Sequence, residues 1–218
     1  MTPFDIQCRL LAYGIDPGPL DGQMGRLTRR GMTAFRRQYG RRIEADFHPS
    51  GLCRVIGHWT AGSEGVIELE REHYNLIIGQ DARTYAGLYR PEANGRISGG
   101  YAAHTRALNT GSIGVALDAM AGAQERPFKP GRAPITEQMV AAFAREVADL
   151  CLTYRIPVSR WTVLTHAEVQ PTLGVWQRNK WDITWLPDMD VPGDPVRVGD
   201  RLRELIRAEM PAVRLAAA

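Results

Sequence analysis

Between Thr165 and Asp190 the chain gathers a histidine, a lysine and an aspartate whose types and spacing suit metal-assisted hydrolysis. The run reads Thr-His-Ala-Glu-Val-Gln-Pro-Thr-Leu-Gly-Val-Trp-Gln-Arg-Asn-Lys-Trp-Asp-Ile-Thr-Trp-Leu-Pro-Asp-Met-Asp. An apolar stretch, Trp161-Thr-Val-Leu-Thr, delivers His166 from what reads as a buried strand. Lys180 and Asp182 follow two residues apart. In an extended segment, side chains at i and i+2 leave the backbone on one face. A carboxylate and an ammonium would then enter one cavity while a histidine arrives from a neighbouring strand. Imidazole and carboxylate bind zinc at about 2.0–2.2 Å, and a catalytic site wants three such ligands with an open position for water. His166 and Asp182 are read as two of three zinc ligands, the third to be sought upstream.

The elements that must position these groups alternate between strand and helix patterns. Cys53-Arg-Val-Ile-Gly-His-Trp-Thr reads as a strand with His58 near its exit, where sites form in α/β sheets. Taken alone, a histidine there is more often a satisfied core residue. Ser63 suits the cap of a helix over 64–72. Tyr74 to Gly87 reads as a hairpin turning at Gly79–Ala82. Residues 112–117 form another interior strand, and Pro91–Gly100 and Ala121–Pro134 are loops. Thr136 caps the clearest helix, Glu137 to Tyr154, with Met139, Val140, Phe143, Val147, Leu150 and Cys151 in one stripe. The expectation is an α/β fold, a central mixed sheet flanked by helices. Val191-Pro-Gly-Asp-Pro then breaks the chain before a last helix near 196–210. Its apolar face suits packing on the domain, and its arginines an anionic membrane surface.

Upstream lies a small basic piece. Residues 4–13 have helical spacing, Ile15–Gly22 is a compact Pro/Gly loop, and a second helix is expected from an N-cap at Thr28 to Tyr39. Residues 43–52 lack any period and read as a linker to a catalytic domain over 53–190, with 191–218 as the terminal segment. Residues 1–42 hold eight arginines against Asp5, Asp16 and Asp21, a balance of +5 within a chain of net +3. An anionic partner would suit that piece, although 25 of the 27 basic residues are Arg and the bias alone could produce it. Lys180 stands out because Lys129 is the only other lysine. No stacking aromatics accompany the arginines, so nucleic acid is not expected.

Composition bounds the rest. With 218 residues, 44% hydrophobic and 23% charged, the chain describes an ordinary globular protein. No apolar run approaches the ~20 residues that span a bilayer. Met1-Thr-Pro-Phe-Asp-Ile lacks the pattern of a signal peptide, and three separated cysteines suggest no disulfide framework. Synthesis in a reducing cytoplasm and a monomeric state are expected.

Several linked motifs now carry a resemblance. His58-Trp-Thr-Ala-Gly, Tyr74-Asn-Leu-Ile-Ile, Ala103-His104, Asn109-Thr-Gly-Ser-Ile-Gly-Val and Thr165-His166-Ala-Glu-Val…Lys180-Trp-Asp182 occur in the order seen in type-2 N-acetylmuramoyl-L-alanine amidases. That family includes phage lysozymes of the T7 kind and peptidoglycan recognition proteins. The resemblance covers roughly 52–190 and implies the amidase fold, Zn2+ held by His58, His166 and Asp182, Lys180 and Tyr74 as catalytic residues, and a substrate groove touched by His104, Asn109, Trp59 and Thr60. Two departures accompany it. Ala116 stands where many relatives have Glu, and Pro171–Arg178 reads as an extra loop. Leu-Leu-Ala-Tyr-Gly…Gly-Pro-Leu-Asp-Gly in residues 1–42 resembles the peptidoglycan-binding modules of wall hydrolases, with Gly31 and Arg36 departing from the usual residues.

The chemistry expected is amide hydrolysis. Zinc lowers the pKa of bound water to about 7 and polarises a carbonyl. An ammonium beside the developing oxyanion supplies about 3 kcal/mol if it acts like other oxyanion donors. With Ala116 unable to serve as base, Tyr74 or His104 would orient or deprotonate the water. The reading is a zinc amidase cleaving the bond between N-acetylmuramic acid and L-alanine in peptidoglycan, made in the cytoplasm and acting on the wall like a phage endolysin. The competing readings are a non-catalytic peptidoglycan receptor and a cytoplasmic amidase recycling soluble muropeptides.

Overall fold

The computed structural model describes residues 1–62 and 65–211. The expected cap at Ser63 and the start of its helix lie outside the described residues, as does the tail beyond Pro211. Five strands build one sheet: β1 (Arg54–Trp59), β2 (Leu76–Ile78), β3 (Thr84–Ala86), β4 (Ser112–Leu117) and β5 (Val163–Thr165). Their spatial order is β3-β2-β4-β1-β5. β1 runs parallel to both β4 and β5, β2 runs parallel to β4, and the β2–β3 hairpin is antiparallel. The fold is thus the mixed, helix-flanked sheet expected. β1 and β4 are buried along their whole lengths, as strands covered on both faces must be.

Alternation along β1 sorts the two faces. Val55 and Trp59 join the large core beneath α4 (Glu137–Thr153) and α6 (Pro195–Glu209), with Phe143, Val147, Val198, Leu202 and Ile206. Ile56 points the other way, with Leu164 of β5, Val169 and Leu173 of α5 (His166–Leu173) and Cys8 of α1 (Pro3–Ala12). His58 lies two residues beyond Ile56, so the period of two sends it to the α5 side at the strand's exit. Thr136 caps α4 by accepting a hydrogen bond from the Met139 N–H, as its position predicts. Only α3 (Glu68–His73) fills the stretch where a longer helix was expected.

The N-terminal piece is fastened to this sheet. Asp5 on α1 meets Arg54 of β1 at 3.1 Å, and Arg9 reaches Asp46 at 3.1 Å and the Arg155 carbonyl at 2.5 Å. α2 (Arg26–Tyr39) has Gly25 at its N-cap, three residues earlier than expected. Thr28 is therefore not its cap; buried, it donates its hydroxyl to the Pro17 carbonyl at 3.1 Å and ties the preceding loop down. Within 43–52 a short 3₁₀ turn, Ile43–Asp46, packs Ile43 and Phe47 with Ile6, Leu10 and Phe35. On α6 the arginines divide. Arg203 is buried and bonds Glu168 at 2.8 Å, Arg201 pairs with Asp188 at 2.5 Å, and Arg207 donates to the Val158 carbonyl at 2.9 Å.

Candidate active site

Three side chains from distant parts of the chain converge at the exits of β1 and β5. His58 ends β1, His166 opens α5 directly after β5, and Asp182 sits in the loop that follows. Each is buried, and their possible ligand atoms lie within 4.8 Å of one another. His58 Nδ1 and His166 Nδ1 each stand 3.1 Å from the same oxygen, Asp182 Oδ2. The two rings meet edge to face with centroids 4.6 Å apart.

Local structure holds each group. The Thr165 N–H donates to Glu168 Oε2 at 2.8 Å, closing the first turn of α5 around His166. Arg203 grips both Glu168 oxygens, at 2.8 and 3.1 Å, so α6 braces that turn. The Ala167 N–H donates to the Asp182 carbonyl at 2.6 Å and draws the loop to the same helix start. On either side of Asp182, Ile183 is buried in the core and Trp181 packs edge-on against Trp59 at 4.6 Å. The segment from Arg178 to Asp182 is irregular, not the extended run expected from sequence. Lys180 accordingly does not share the buried face of Asp182; it is exposed at the rim. Its charge still reaches His58.

The outer nitrogens of both histidines decide what the inner ones offer. The Arg106 carbonyl can only accept, so Gln177 must turn its amide nitrogen toward it, at 3.0 Å. Gln177 Oε1 then faces His166 Nε2 at 3.0 Å and requires an N–H there. A neutral His166 consequently carries a lone pair on Nδ1. The same logic applies behind His58. The Ser112 carbonyl receives the Nε2–H of His104 at 3.3 Å, leaving His104 Nδ1 as an acceptor for the His58 Nε2–H at 3.2 Å. The Thr105 hydroxyl favours His104, at 2.9 Å, over His58, at 3.4 Å. Both inner nitrogens thus aim lone pairs at a carboxylate oxygen with no proton assigned between them. A divalent cation resolves that conflict, and two imidazoles with a carboxylate form an ordinary zinc donor set.

The electrostatics agree with this arrangement. Burial drives the His58 imidazole down to about 4, with His166 and Lys180 adding to the effect, so it is neutral at physiological pH. Burial works against ionisation of Asp182, yet the two histidines hold its carboxyl well below the usual range. His104 is pushed down chiefly by burial.

The other expected site residues separate into distinct places. Tyr74 is half-buried, its ring 5.2 Å from that of His58. Thr60 lines a cleft of about 190 Å³ with Tyr74. His104 is buried behind His58, and its ring occupies the space a Cβ at Gly114 would need, coming within 2.5 Å of that position. Asn109 accepts from the His104 and Thr105 N–H groups at 3.1 and 2.8 Å, shaping that loop. It also lines a separate cleft of about 590 Å³ with Phe4, Tyr101 and Val175. Trp59 is buried in the core. Ala116 pairs in register with His58, so β4 brings no carboxylate beside the cluster. Pro171 lies inside α5, and the loop after it starts only at Gly174. Gln177 is the residue that sequence reasoning missed, since nothing in an aperiodic loop marks one glutamine as the partner of a histidine eleven positions earlier.

The fold thus sets a buried cluster of two histidines and an aspartate, able to hold a metal ion, at the exits of its parallel strands. Residues 34–187 match the profile of the family described as N-acetylmuramoyl-L-alanine amidase, and the chain belongs to that family. No curated protein matches the sequence. Among solved structures, it is similar to the N-acetylmuramoyl-L-alanine amidase LysC from Clostridium intestinale URNW, at 14% identity and a TM-score of 0.44 over 76% of this chain and 89% of that one. It is also similar to the amidase AmiD from E. coli, solved with anhydro-N-acetylmuramic acid-L-Ala-D-gamma-Glu-L-Lys, at 19% identity and a TM-score of 0.41 over 55% and 49% of the two chains. A third likeness is to the ectodomain complex of the peptidoglycan recognition proteins LCa and LCx bound to tracheal cytotoxin, at 18% identity and a TM-score of 0.36 over 55% and 73%.

Proposed function

We propose that the protein hydrolyses the amide bond between N-acetylmuramic acid and L-alanine in peptidoglycan, using zinc held by His58, His166 and Asp182. One observation carries this reading: two imidazole lone pairs and a carboxylate oxygen face one another at 3.1 Å with their outer nitrogens fixed. Zinc in such a site supplies a water acidified to near neutral pH and polarises the scissile carbonyl. The chain's own groups do the rest. Gln177 and His104 keep the histidines in the ligating tautomer. Lys180, exposed at the rim, brings its ammonium to the negative charge that develops on the carbonyl oxygen. Tyr74, beside His58, orients the attacking water, since His104 is committed behind the ligand.

The same reading extends to the wall. Arg29, Arg30, Arg36 and Arg37 are exposed on α2, and a groove of about 320 Å³ lies between Arg29, Arg36 and Arg42. Such a surface suits an anionic wall polymer, and an endolysin-like lytic role follows from pairing it with the amidase site. The complete set of three metal donors speaks against a purely non-catalytic receptor. The decisive test is release of new α-amino groups from purified sacculi, with and without a chelator. Zinc-restorable release supports the reading; release insensitive to chelation contradicts the metal, and no release contradicts the activity.

A further inference from the structure

Amide hydrolysis needs a group that takes a proton from water and returns it to the departing nitrogen. Around the cluster the obvious carriers are already engaged. His58, His166 and Asp182 form the donor set, His104 holds His58, and position 116 on β4 is alanine. Among the described residues two further buried carboxylates lie near each other, Asp118, which accepts the Gly65 N–H at 3.1 Å, and Glu70. Glu70, on the first turn of α3, is only 5% exposed. Its Oε2 accepts the Ile67 N–H at 3.2 Å, whereas Oε1 is buried and, among the described residues, makes no hydrogen bond of good geometry, the Thr60 hydroxyl being the nearby polar group that favours its charge. An unpaired buried acceptor is costly to the fold, which points to a ligand or a chemical task.

The surroundings indicate which task. Glu70 and Tyr74 line the same cleft of about 190 Å³, together with Thr60, which lies two residues beyond His58. Tyr74, which lines this cleft, has its ring 5.2 Å from that of His58 and so stands between the cleft and the cluster. Gly62 leaves Oε1 its room, because a Cβ there would come within 2.5 Å of it. The exposed Ile67 and Leu69 at the mouth offer apolar surface to a small side chain such as the methyl of alanine.

Resting on the amidase reading above, we propose that Glu70 is the acid–base carboxylate of this enzyme and that its cleft receives the amine side of the scissile bond. As the water oxygen bonds to the carbonyl carbon, the water proton passes to Glu70 Oε1. The carbon–nitrogen bond then breaks as Glu70 returns that proton to nitrogen, leaving a carboxylic acid, an amine and the original glutamate. Burial, assisted by the nearby Asp118 charge, raises the Glu70 carboxyl and brings it closer to a shuttle's working range.

Glu70→Gln keeps an oxygen for the Ile67 N–H and should retain parental zinc content and melting temperature. Its kcat on muropeptides should fall about 10²-fold or more, with KM little changed and the limb of the pH profile owed to the carboxylate lost. Glu70→Ala opens the cleft, and added formate should restore part of its turnover, which a merely structural role would not allow. Glu70→Gln turning over within a few-fold of the parent with the same pH profile would overturn the proposal, as would formate failing to rescue a folded, zinc-loaded Glu70→Ala. An inactive parent protein would instead refute the amidase reading itself.

Discussion

At the scale of single residues, metal binding depends on which nitrogen of each histidine carries a proton. Gln177 makes that choice for His166 through its 3.0 Å contact to Nε2. Gln177→Ala should therefore weaken zinc affinity about 10–100-fold in a chelator competition, as lost outer partners of metal-bound histidines do, without unfolding the chain. Affinity equal to the parent's would mean that the tautomer is set elsewhere. Lys180 makes a contrasting prediction. Exposed and outside the donor set, it should leave zinc binding intact when changed to Ala, while kcat drops about 10²–10³-fold as for other lost oxyanion donors. A Lys180→Ala enzyme of parental activity would remove it from the mechanism. Ligand candidates were legible in sequence because few residue types bind metal and the motifs that hold them are long. Gln177 and Glu70 were not legible. Their roles come from which atoms lack or need a partner, and that exists only in three dimensions.

At the scale of elements, buried ion pairs fasten helices to the sheet. Asp5–Arg54 holds α1 on β1, and both partners are buried. Removing one partner strands a charge in the interior, so Asp5→Ala should cost roughly 3–5 kcal/mol in denaturant unfolding. An effect below about 1 kcal/mol would place the attachment in the apolar contacts instead. The pH sign follows from the same pair. Burial tends to raise the Asp5 carboxyl, but Arg54 and the Thr2 hydrogen bonds outweigh it and lower it below the ordinary 3.8. The folded state then binds the proton less readily than the unfolded chain. This contribution is present above the unfolded value and is lost as pH falls through the lowered one, so the melting difference between parent and Asp5→Ala should shrink only in that acid window. Periodicity revealed α1, α4, α6 and the interior strands because each has an apolar stripe or run, whereas the short β3 was legible only from the turn before it. It missed the true start of α2, where Thr28 bonds a neighbouring loop instead of its own helix. It also took Lys180 and Asp182 for an extended pair, because an irregular loop anchored by Trp181 and Ile183 has no period to read.

At the scale of the whole molecule, the N-terminal piece and the amidase sheet share buried contacts. Cys8 lies in one cluster with Ile56 and Leu164, and Arg9 bonds Asp46. Cutting residues 1–42 away would expose those surfaces, so wall binding is better tested on the intact chain. Reversing charge at Arg29, Arg30, Arg36 and Arg37 should weaken sacculus pull-down and flatten its salt dependence while sparing cleavage of small soluble muropeptides. Unchanged pull-down would assign adhesion to another surface. Above all, a metal bound by His58, His166 and Asp182 would join three distant parts of the chain. Its most direct test is the zinc content of the purified protein beside that of His58→Ala, measured by elemental mass spectrometry on folded samples. Roughly one zinc per parent chain and essentially none in the variant are expected; equal zinc in both, or none in the parent after reconstitution, would contradict a zinc site at these residues.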